Sequence, residues 1–80
     1  MQIQVRFFAA LRDALGASEQ TLELPAAATV ASAWAALLAA HPSLEAASSL
    51  AFAVNRAYAS LDTALHDGDE LALIPPVSGG

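Results

Sequence analysis

The strongest constraint on this fold is one apolar stripe at helical spacing in the middle of the sequence. Thr29 before it is a typical helix N-cap, and Pro42 after it cannot continue a helix. A lone amphipathic helix has to bury its stripe against another element, so the remaining chain must supply that element. We predict that Trp34, the largest side chain of the stripe, is the central core residue. The stripe consists of Val30, Trp34, Leu37, Leu38 and His41.

Segments on both sides of this helix alternate between apolar and polar residues, which predicts half-buried strands. In the first of them, Ile3, Val5 and Phe7 share one face. Phe8 then breaks the alternation, and either packing at a sheet edge or an exposed contact would explain it. The predicted strands are residues 2–7, 21–24, 51–54, a short edge strand that holds Tyr58 and Leu61, and residues 70–74.

The connections between these elements carry stop and turn signals. Residues 9–15 predict a short helix or a turn that ends at Gly16. Residues 43–50 predict either one more helical turn or a loop, and turns are predicted at 55–56 and 67–68.

Pairs of strands on both sides of one main helix predict an α+β domain, in which a mixed sheet packs one face against the helix. If the first and last strands lie side by side at the centre, the arrangement is a β-grasp, or ubiquitin-like, fold. We predict that residues 1–74 form this domain and that residues 75–80 form an extended, flexible tail that ends in Gly-Gly.

The composition argues against an active site made of side chains. The sequence has no Cys, no histidine–carboxylate spacing typical of a metal site, and no glycine-rich loop before a helix. We interpret His41 as a capping or partly buried residue and His66 as solvated, and Ser78 has no neighbouring base to activate it. We therefore expect no bound cofactor, no metal and no catalysis by this chain alone.

The charge and hydropathy patterns limit the classes of partner and the cell compartment that we expect for this chain. The net charge is −5 and the only bases are Arg6, Arg12 and Arg56, so a nucleic acid is not expected as a partner. Residues 24–44 lack charged side chains, but they contain two prolines and many alanines, so we expect no membrane span. The first residues lack the apolar run of a signal peptide, which indicates a cytoplasmic protein.

Half of the acidic residues lie close together before the last strand. The four are Asp62, Asp67, Asp69 and Glu70, of eight acids in the sequence. A solvated loop with a favourable turn explains them, and this is the interpretation we prefer. The alternative is an acidic rim beside the tail, which would complement a basic partner.

The last six residues differ from the rest of the sequence. Pro75 and Pro76 cannot donate hydrogen bonds to a sheet and are stiff, so they end the last strand and project the chain outward. Six residues reach about 20 Å when extended. Gly79 and Gly80 have no side chains and would fit a channel too narrow for a Cβ atom. The terminal carboxylate of Gly80 is therefore the candidate reactive group.

Taken in order, these residues resemble the small, sulfur-carrying subunit of molybdopterin synthase, and the resemblance covers nearly the whole chain. Each motif is weak alone, but together, at this length and ending at Gly-Gly, they are specific. The motifs are Phe7-Phe8-Ala9 with Arg12 and Gly16, then Val54-Asn55, then Leu65 with Asp67-Gly68-Asp69-Glu70, and finally Pro75-Pro76-Val77-Ser78-Gly79-Gly80.

This resemblance implies a mechanism. A ubiquitin-activating-like adenylyltransferase uses ATP to adenylate the terminal carboxylate, and a sulfur donor converts the acyl-adenylate to a thiocarboxylate. The tail then enters the large subunit of molybdopterin synthase, within a heterotetramer. There the thiocarboxylate sulfur attacks cyclic pyranopterin monophosphate, and two such transfers build the dithiolene of the molybdenum cofactor.

The resemblance also implies roles for particular residues. Gly80 would carry first the adenylate and then the sulfur, and Gly79 would thread the channel. Phe8, Tyr58 and Ile74 would form the apolar docking surface. The tail residues that would contact the partner are Pro75, Pro76, Val77 and Ser78.

Two other functions remain open at this point. The same carrier chemistry could serve thiamine, cysteine or tRNA thiolation, or the chain could be a ubiquitin-like protein modifier. The chain could also be a non-catalytic interaction domain in which the Gly-Gly tail is incidental.

Overall fold

The computed structural model describes residues 1–8, 10–46 (the side chain of Ala46 excepted) and 49–75. Within these ranges the chain forms five strands, two α-helices and one 3₁₀ helix. The elements are β1 (Gln2–Phe7), α1 (Ala10–Leu15), β2 (Glu19–Glu23), α2 (Val30–Ala40), the 3₁₀ helix (Pro42–Ala46), β3 (Ala51–Val54), β4 (Ala57–Ala59) and β5 (Glu70–Ile74).

The strands form one sheet in the order β2-β1-β5-β3-β4. The first and last strands are parallel and central, with Val5 opposite Leu71, and every other neighbouring pair is antiparallel. The predicted α+β class and β-grasp arrangement are therefore confirmed. Because β1 and β5 are far apart in sequence, residues from both ends of the chain meet at the centre of the sheet.

One face of this sheet forms the core together with α2. β1 alternates strictly between exposed and buried positions, and Ile3, Val5 and Phe7 are almost fully buried. Leu71 and Leu73 of β5 lie fully buried on the same face. Burial of large apolar side chains on this face is the main stabilising contribution in a domain of this size.

The prediction that Trp34 is the central core residue is wrong. The helix presents Val30, Ala33 and Leu37 to the sheet, and all three are fully buried. Trp34 is half-buried and packs edge-on against Phe52, with 5.7 Å between the ring centroids. The reason is geometric: successive helical residues differ by about 100° in direction, so a helix that buries Val30, Ala33 and Leu37 turns Trp34 to its flank.

The ends of α2 follow the predicted signals. Thr29 is the N-cap, and its hydroxyl accepts a hydrogen bond from the backbone N–H of Ser32. The Thr29 backbone N–H in turn donates a hydrogen bond to the Ser32 hydroxyl oxygen, which completes a capping box. His41 caps the other end, where its backbone N–H donates to the Leu37 carbonyl. The His41 ring is half-buried, with its Nε2 atom 2.7 Å from Oε1 of Gln20 and its plane edge-on to the Phe7 ring. A capping or partly buried histidine was predicted at this position.

The other local predictions are mostly confirmed. The short helix α1 ends before Gly16, which has a positive φ and donates its N–H to the Arg12 carbonyl. The alternatives left open for residues 43–50 resolve to a 3₁₀ helix over Pro42–Ala46, while residues 47–48 are outside the described ranges. Leu61 does not belong to the edge strand. It follows β4 in a turn, where its carbonyl accepts a hydrogen bond from Ala31.

Among the residues that the structure describes, no helix is long and apolar enough to cross a membrane.

Candidate functional site

The face of the sheet opposite α2 carries a groove with a volume of about 380 Å³, which we call the open-face groove. It crosses the strands β1, β5, β3 and β4. Side chains alternate along a strand, so the residues between the core positions of these strands all point to this face. The groove is lined by Arg6, Phe8, Ala53, Arg56, Tyr58, Glu70, Ala72 and Ile74.

Strand pairing determines the shape of this groove. Ala53 is opposite Ala72 across the β3–β5 pair and opposite Tyr58 across the β3–β4 pair. The two alanines provide a floor of small side chains between larger walls. Phe8 and Ile74, which follow the paired residues Phe7 and Leu73, form the wall at one end.

The structure therefore brings together the three residues that the resemblance assigned to docking. Phe8 is 41% exposed and Tyr58 is 82% exposed, and both are unusually open for large aromatic side chains. Ile74 is half-buried at the end of β5. Phe8 follows the buried Phe7 and so points to the open face together with Arg6. It is therefore an apolar residue on the exposed side of the sheet, where it lines the groove. An apolar surface of this kind on a small domain is typical of a protein-binding site.

Charged side chains border the apolar part of the groove. The Arg6 guanidinium lies 3.4 Å from the Glu70 carboxylate, and both side chains are partly exposed. The Arg6 guanidinium carbon also lies 6.0 Å from the centre of the Phe8 ring. The Arg6 guanidinium thus lies near both a carboxylate and an aromatic ring at the edge of the groove.

The tail begins where the groove ends. Ile74 lines the groove, and the half-buried Pro75 directly follows it. The other residues predicted to act in the tail lie outside the described residues; they are Pro76, Val77, Ser78, Gly79 and Gly80.

Two of the clustered acids have structural roles. The Asp67 carboxylate accepts a hydrogen bond from the Gln2 backbone N–H at 2.8 Å. The Asp69 carboxylate accepts from the Asn55 side-chain amide at 2.9 Å and from the His66 backbone N–H at 2.8 Å. These contacts support the turn interpretation for Asp67 and Asp69 over an acidic rim. The His66 side chain is 80% exposed, as predicted for a solvated residue.

Asn55 is the residue in this region whose role the sequence pattern did not show. It has a positive φ in the turn between β3 and β4, and its side chain bonds to Asp69 and to Glu70 at the start of β5. Its amide donates to Asp69 and its carbonyl oxygen accepts from the Glu70 backbone N–H at 3.0 Å. Asn55 therefore fixes the turn next to the groove relative to the central strand. The signal available in the sequence was an Asn at a turn, where Asn is common for local reasons alone.

The Asp69 contacts predict a pH-dependent stability. The hydrogen bond from Asn55 lowers the pKa of the Asp69 carboxyl below 3.8, aided by the His66 backbone N–H and opposed by burial. A carboxyl with a lowered pKa in the folded state stabilises the fold above its ordinary pKa, and this contribution is lost as the pH falls through the folded-state value. We expect Asp69→Asn to lower the free energy of unfolding by about 1–2 kcal/mol near neutral pH, and by less in acid. Urea unfolding at a series of pH values measures this, and parallel profiles for the two proteins would contradict it.

No group of three or more His, Asp or Glu residues within the described part of the chain is arranged to hold a metal ion.

The sequence matches the ThiS family over residues 5–80. It is 45% identical to the molybdopterin synthase sulfur carrier subunit of Chlamydomonas reinhardtii, in an alignment that covers 100% of both chains.

Solved structures show the same fold. The crystal structure of small archaeal modifier protein 1 from Haloferax volcanii matches with a TM-score of 0.91 at 35% identity, and the match covers 100% of both chains. A chain in the complex of subunits 1 and 2 of molybdopterin-converting factor from Helicobacter pylori matches with a TM-score of 0.72 at 29% identity, again over 100% of both chains.

Proposed function

This chain belongs to the ThiS family, and from that premise we propose that it is the sulfur carrier subunit of molybdopterin synthase. The observation that carries the proposal is the 45% identity, over the full length of both chains, to a relative with that name. The family match extends through Gly80, so the Gly-Gly motif belongs to the matched region.

In this proposal Gly80 carries the reactive group. Its carboxylate is a poor electrophile, so an adenylyltransferase first couples it to AMP from ATP and releases pyrophosphate. A sulfur donor then displaces AMP and leaves a thiocarboxylate, which is a soft nucleophile that a chain without Cys could not otherwise provide. The sulfur is passed to cyclic pyranopterin monophosphate in the large subunit, which contributes the catalytic side chains. The small chain is therefore not an enzyme alone.

The proposed division of the chain follows from this chemistry. Residues 1–74 form the domain that a partner grips, and residues 75–80 form the arm that delivers the carboxylate. Gly79 would thread the partner's channel, and Pro75, Pro76, Val77 and Ser78 would contact the partner. The proposal places the chain in the cytoplasm, where ATP for the activation step is present.

We propose the open-face groove as the surface that binds the large subunit. The groove is concave, is partly apolar and ends at Ile74, next to the start of the tail. The Helicobacter pylori complex supports a second subunit as the partner, because a chain with the same fold is in a complex with one there. A partner seated on Phe8, Tyr58 and Ile74 would be next to the point where the tail leaves the domain.

Replacing Tyr58 tests this docking surface. The Tyr58 side chain is 82% exposed, so Tyr58→Ala should leave the thermal midpoint nearly unchanged. We expect the variant to bind the large subunit about 30-fold more weakly, the typical loss for an aromatic residue at the centre of an interface. Isothermal titration calorimetry with the purified large subunit measures the affinity.

The matched control for this variant is Leu61→Ala. Leu61 is also a large exposed apolar residue, at 46%, but it lines a separate depression beside Trp34 rather than the groove. Its replacement should leave the affinity unchanged. Equal losses for both variants, or no loss for Tyr58→Ala, would contradict the proposed docking surface.

A second candidate function is protein modification. It is favoured by the TM-score of 0.91 and 35% identity to small archaeal modifier protein 1. The two functions share the activation of Gly80 and differ in the acceptor of the acyl or sulfur group. Amide bonds between Gly80 and lysines of other proteins, with no dithiolene formed in the presence of the large subunit, would establish the modifier function.

A further inference from the structure

Arg56 occupies a backbone position where a side chain is unfavourable. It follows Asn55 in the tight turn between β3 and β4, and the two residues have φ values of 70° and 50° respectively. Two consecutive left-handed residues between antiparallel strands are typical of a type I′ turn, for which Asn-Gly is the preferred sequence. Gly would relieve the backbone strain at position 56, so the local conformation does not explain why Arg is present.

The charge of Arg56 also has no partner among the described residues. Arg6, the other cation of the groove, lies 3.4 Å from Glu70 and is packed over Phe8. Arg56 lines the same groove beside Tyr58, and within the described residues it has no carboxylate in salt-bridge range and no side-chain hydrogen bond. At the edge of an apolar surface, a protein with a net charge of −5 thus presents a cation that no carboxylate of the described part of the chain pairs with.

We propose that Arg56 is the charge anchor for the large subunit, pairing with a carboxylate of that partner while an apolar side chain of the partner packs over Ala53 and Ala72. This inference rests on the proposed function, because it names the chemistry that the same docking surface recognises. A guanidinium can bind a carboxylate through two parallel hydrogen bonds, which fixes orientation as well as charge. Covering the groove removes water from the pair and strengthens it.

The pairing would give the complex a defined register. Apolar contacts on the two small alanines are not directional, and an Asp or Glu opposite Arg56 would fix one orientation of the partner. The acidic remainder of the chain would repel an acidic partner surface elsewhere, so only a carboxylate placed at the groove would be accepted.

The test uses the full chain and the purified large subunit. Arg56→Gly removes the charge and relieves the turn, and Arg56→Asn removes the charge with a residue that tolerates a positive φ. We expect both variants to keep or raise the thermal midpoint and to bind the large subunit about tenfold more weakly. Their affinity should also depend less on salt than that of the wild type. Arg56→Lys should retain part of the affinity.

Ala35→Glu is the matched control, because it makes the net charge one unit more negative, like Arg56→Gly. Ala35 is exposed on α2, which packs on the other face of the sheet, so its replacement should not weaken binding. A loss equal to that of Arg56→Gly would show that only the overall charge matters and would overturn the inference.

The remaining outcomes separate this inference from the proposed function. If both Arg56 variants bind like the wild type while Tyr58→Ala binds weakly, the anchor is wrong and the docking surface stands. If the wild-type chain does not bind the large subunit at all, the proposed function fails and the anchor with it. Sedimentation that shows the wild-type chain self-associating, with Arg56→Gly monomeric, would overturn the inference by assigning the groove to a second copy.

Discussion

Deletion of Gly80 is expected to abolish conversion of the C-terminus to a thiocarboxylate while the domain stays folded. The deletion moves the carboxylate back by one residue, about 3.3–3.6 Å. Misplacing a reacting group by about 1 Å can cost about 100-fold in rate, so we expect a loss of at least that size. Adding one Ala after Gly80 should have the same effect, because it moves the carboxylate forward.

Folding and activation can be followed separately in this experiment. The buried core is built from residues between Ile3 and Leu73, so deleting the last residue should leave the thermal midpoint unchanged. Ala35→Ser, a change on the exposed side of α2, is the control that should carry sulfur at the wild-type rate. Intact mass spectrometry after incubation with the activating enzyme, ATP and a sulfur source gives the result. A truncated chain that carries sulfur at the wild-type rate would contradict the role of Gly80.

Replacing Phe7 is expected to unfold much of the protein. Phe7 is among the largest fully buried side chains, at the centre of the sheet between β2 and β5. Loss of a buried aromatic side chain typically costs about 3–5 kcal/mol, from lost burial and the cavity left behind. A domain of 80 residues has a total stability of only a few kcal/mol, which is about the size of this loss, so Phe7→Ala should leave a large unfolded fraction.

Trp34→Ala provides the comparison for Phe7→Ala. Trp34 is the larger side chain, but it is half-buried and contacts the core at its flank through Phe52. We expect it to cost less than Phe7→Ala. Urea unfolding followed by far-ultraviolet circular dichroism measures both variants without relying on tryptophan fluorescence. A larger loss for Trp34→Ala than for Phe7→Ala would show that the helix flank, and not the sheet face, is the centre of the core.

The contrast between these two residues shows what the sequence could predict about packing. The helical period and both caps were evident from Thr29 and Pro42. The face that the helix turns to the sheet was not evident, because a stripe of large apolar side chains does not include Ala33. Successive helical residues differ by about 100° in direction, and a pattern of large apolar residues does not show which of them lies nearest the sheet.

The candidate site was predictable only in part. The break in strand alternation drew attention to Phe8, and the family resemblance added Tyr58 and Ile74. The small floor residues Ala53 and Ala72 and the charged residues Arg6 and Arg56 were not predicted, because only the β1–β5–β3–β4 pairing brings them to one surface. A property that depends on the register of distant strands is not contained in any local pattern.

In the proposed function, the two parts of the chain have separate tasks. The folded part offers the groove, which ends next to the start of the tail, and the tail would present the carboxylate of Gly80. The groove would give a partner a surface by which to recognise an acidic domain. The carboxylate explains why the same chain would need no Cys to carry sulfur.

The most direct test of this account is the intact mass of the wild-type chain after incubation with its activating enzyme, ATP and a sulfur donor. The account predicts a mass increase equal to the exchange of one oxygen for one sulfur, located by fragmentation at Gly80 and dependent on ATP. An unchanged mass, or sulfur bound at any other residue, would contradict it.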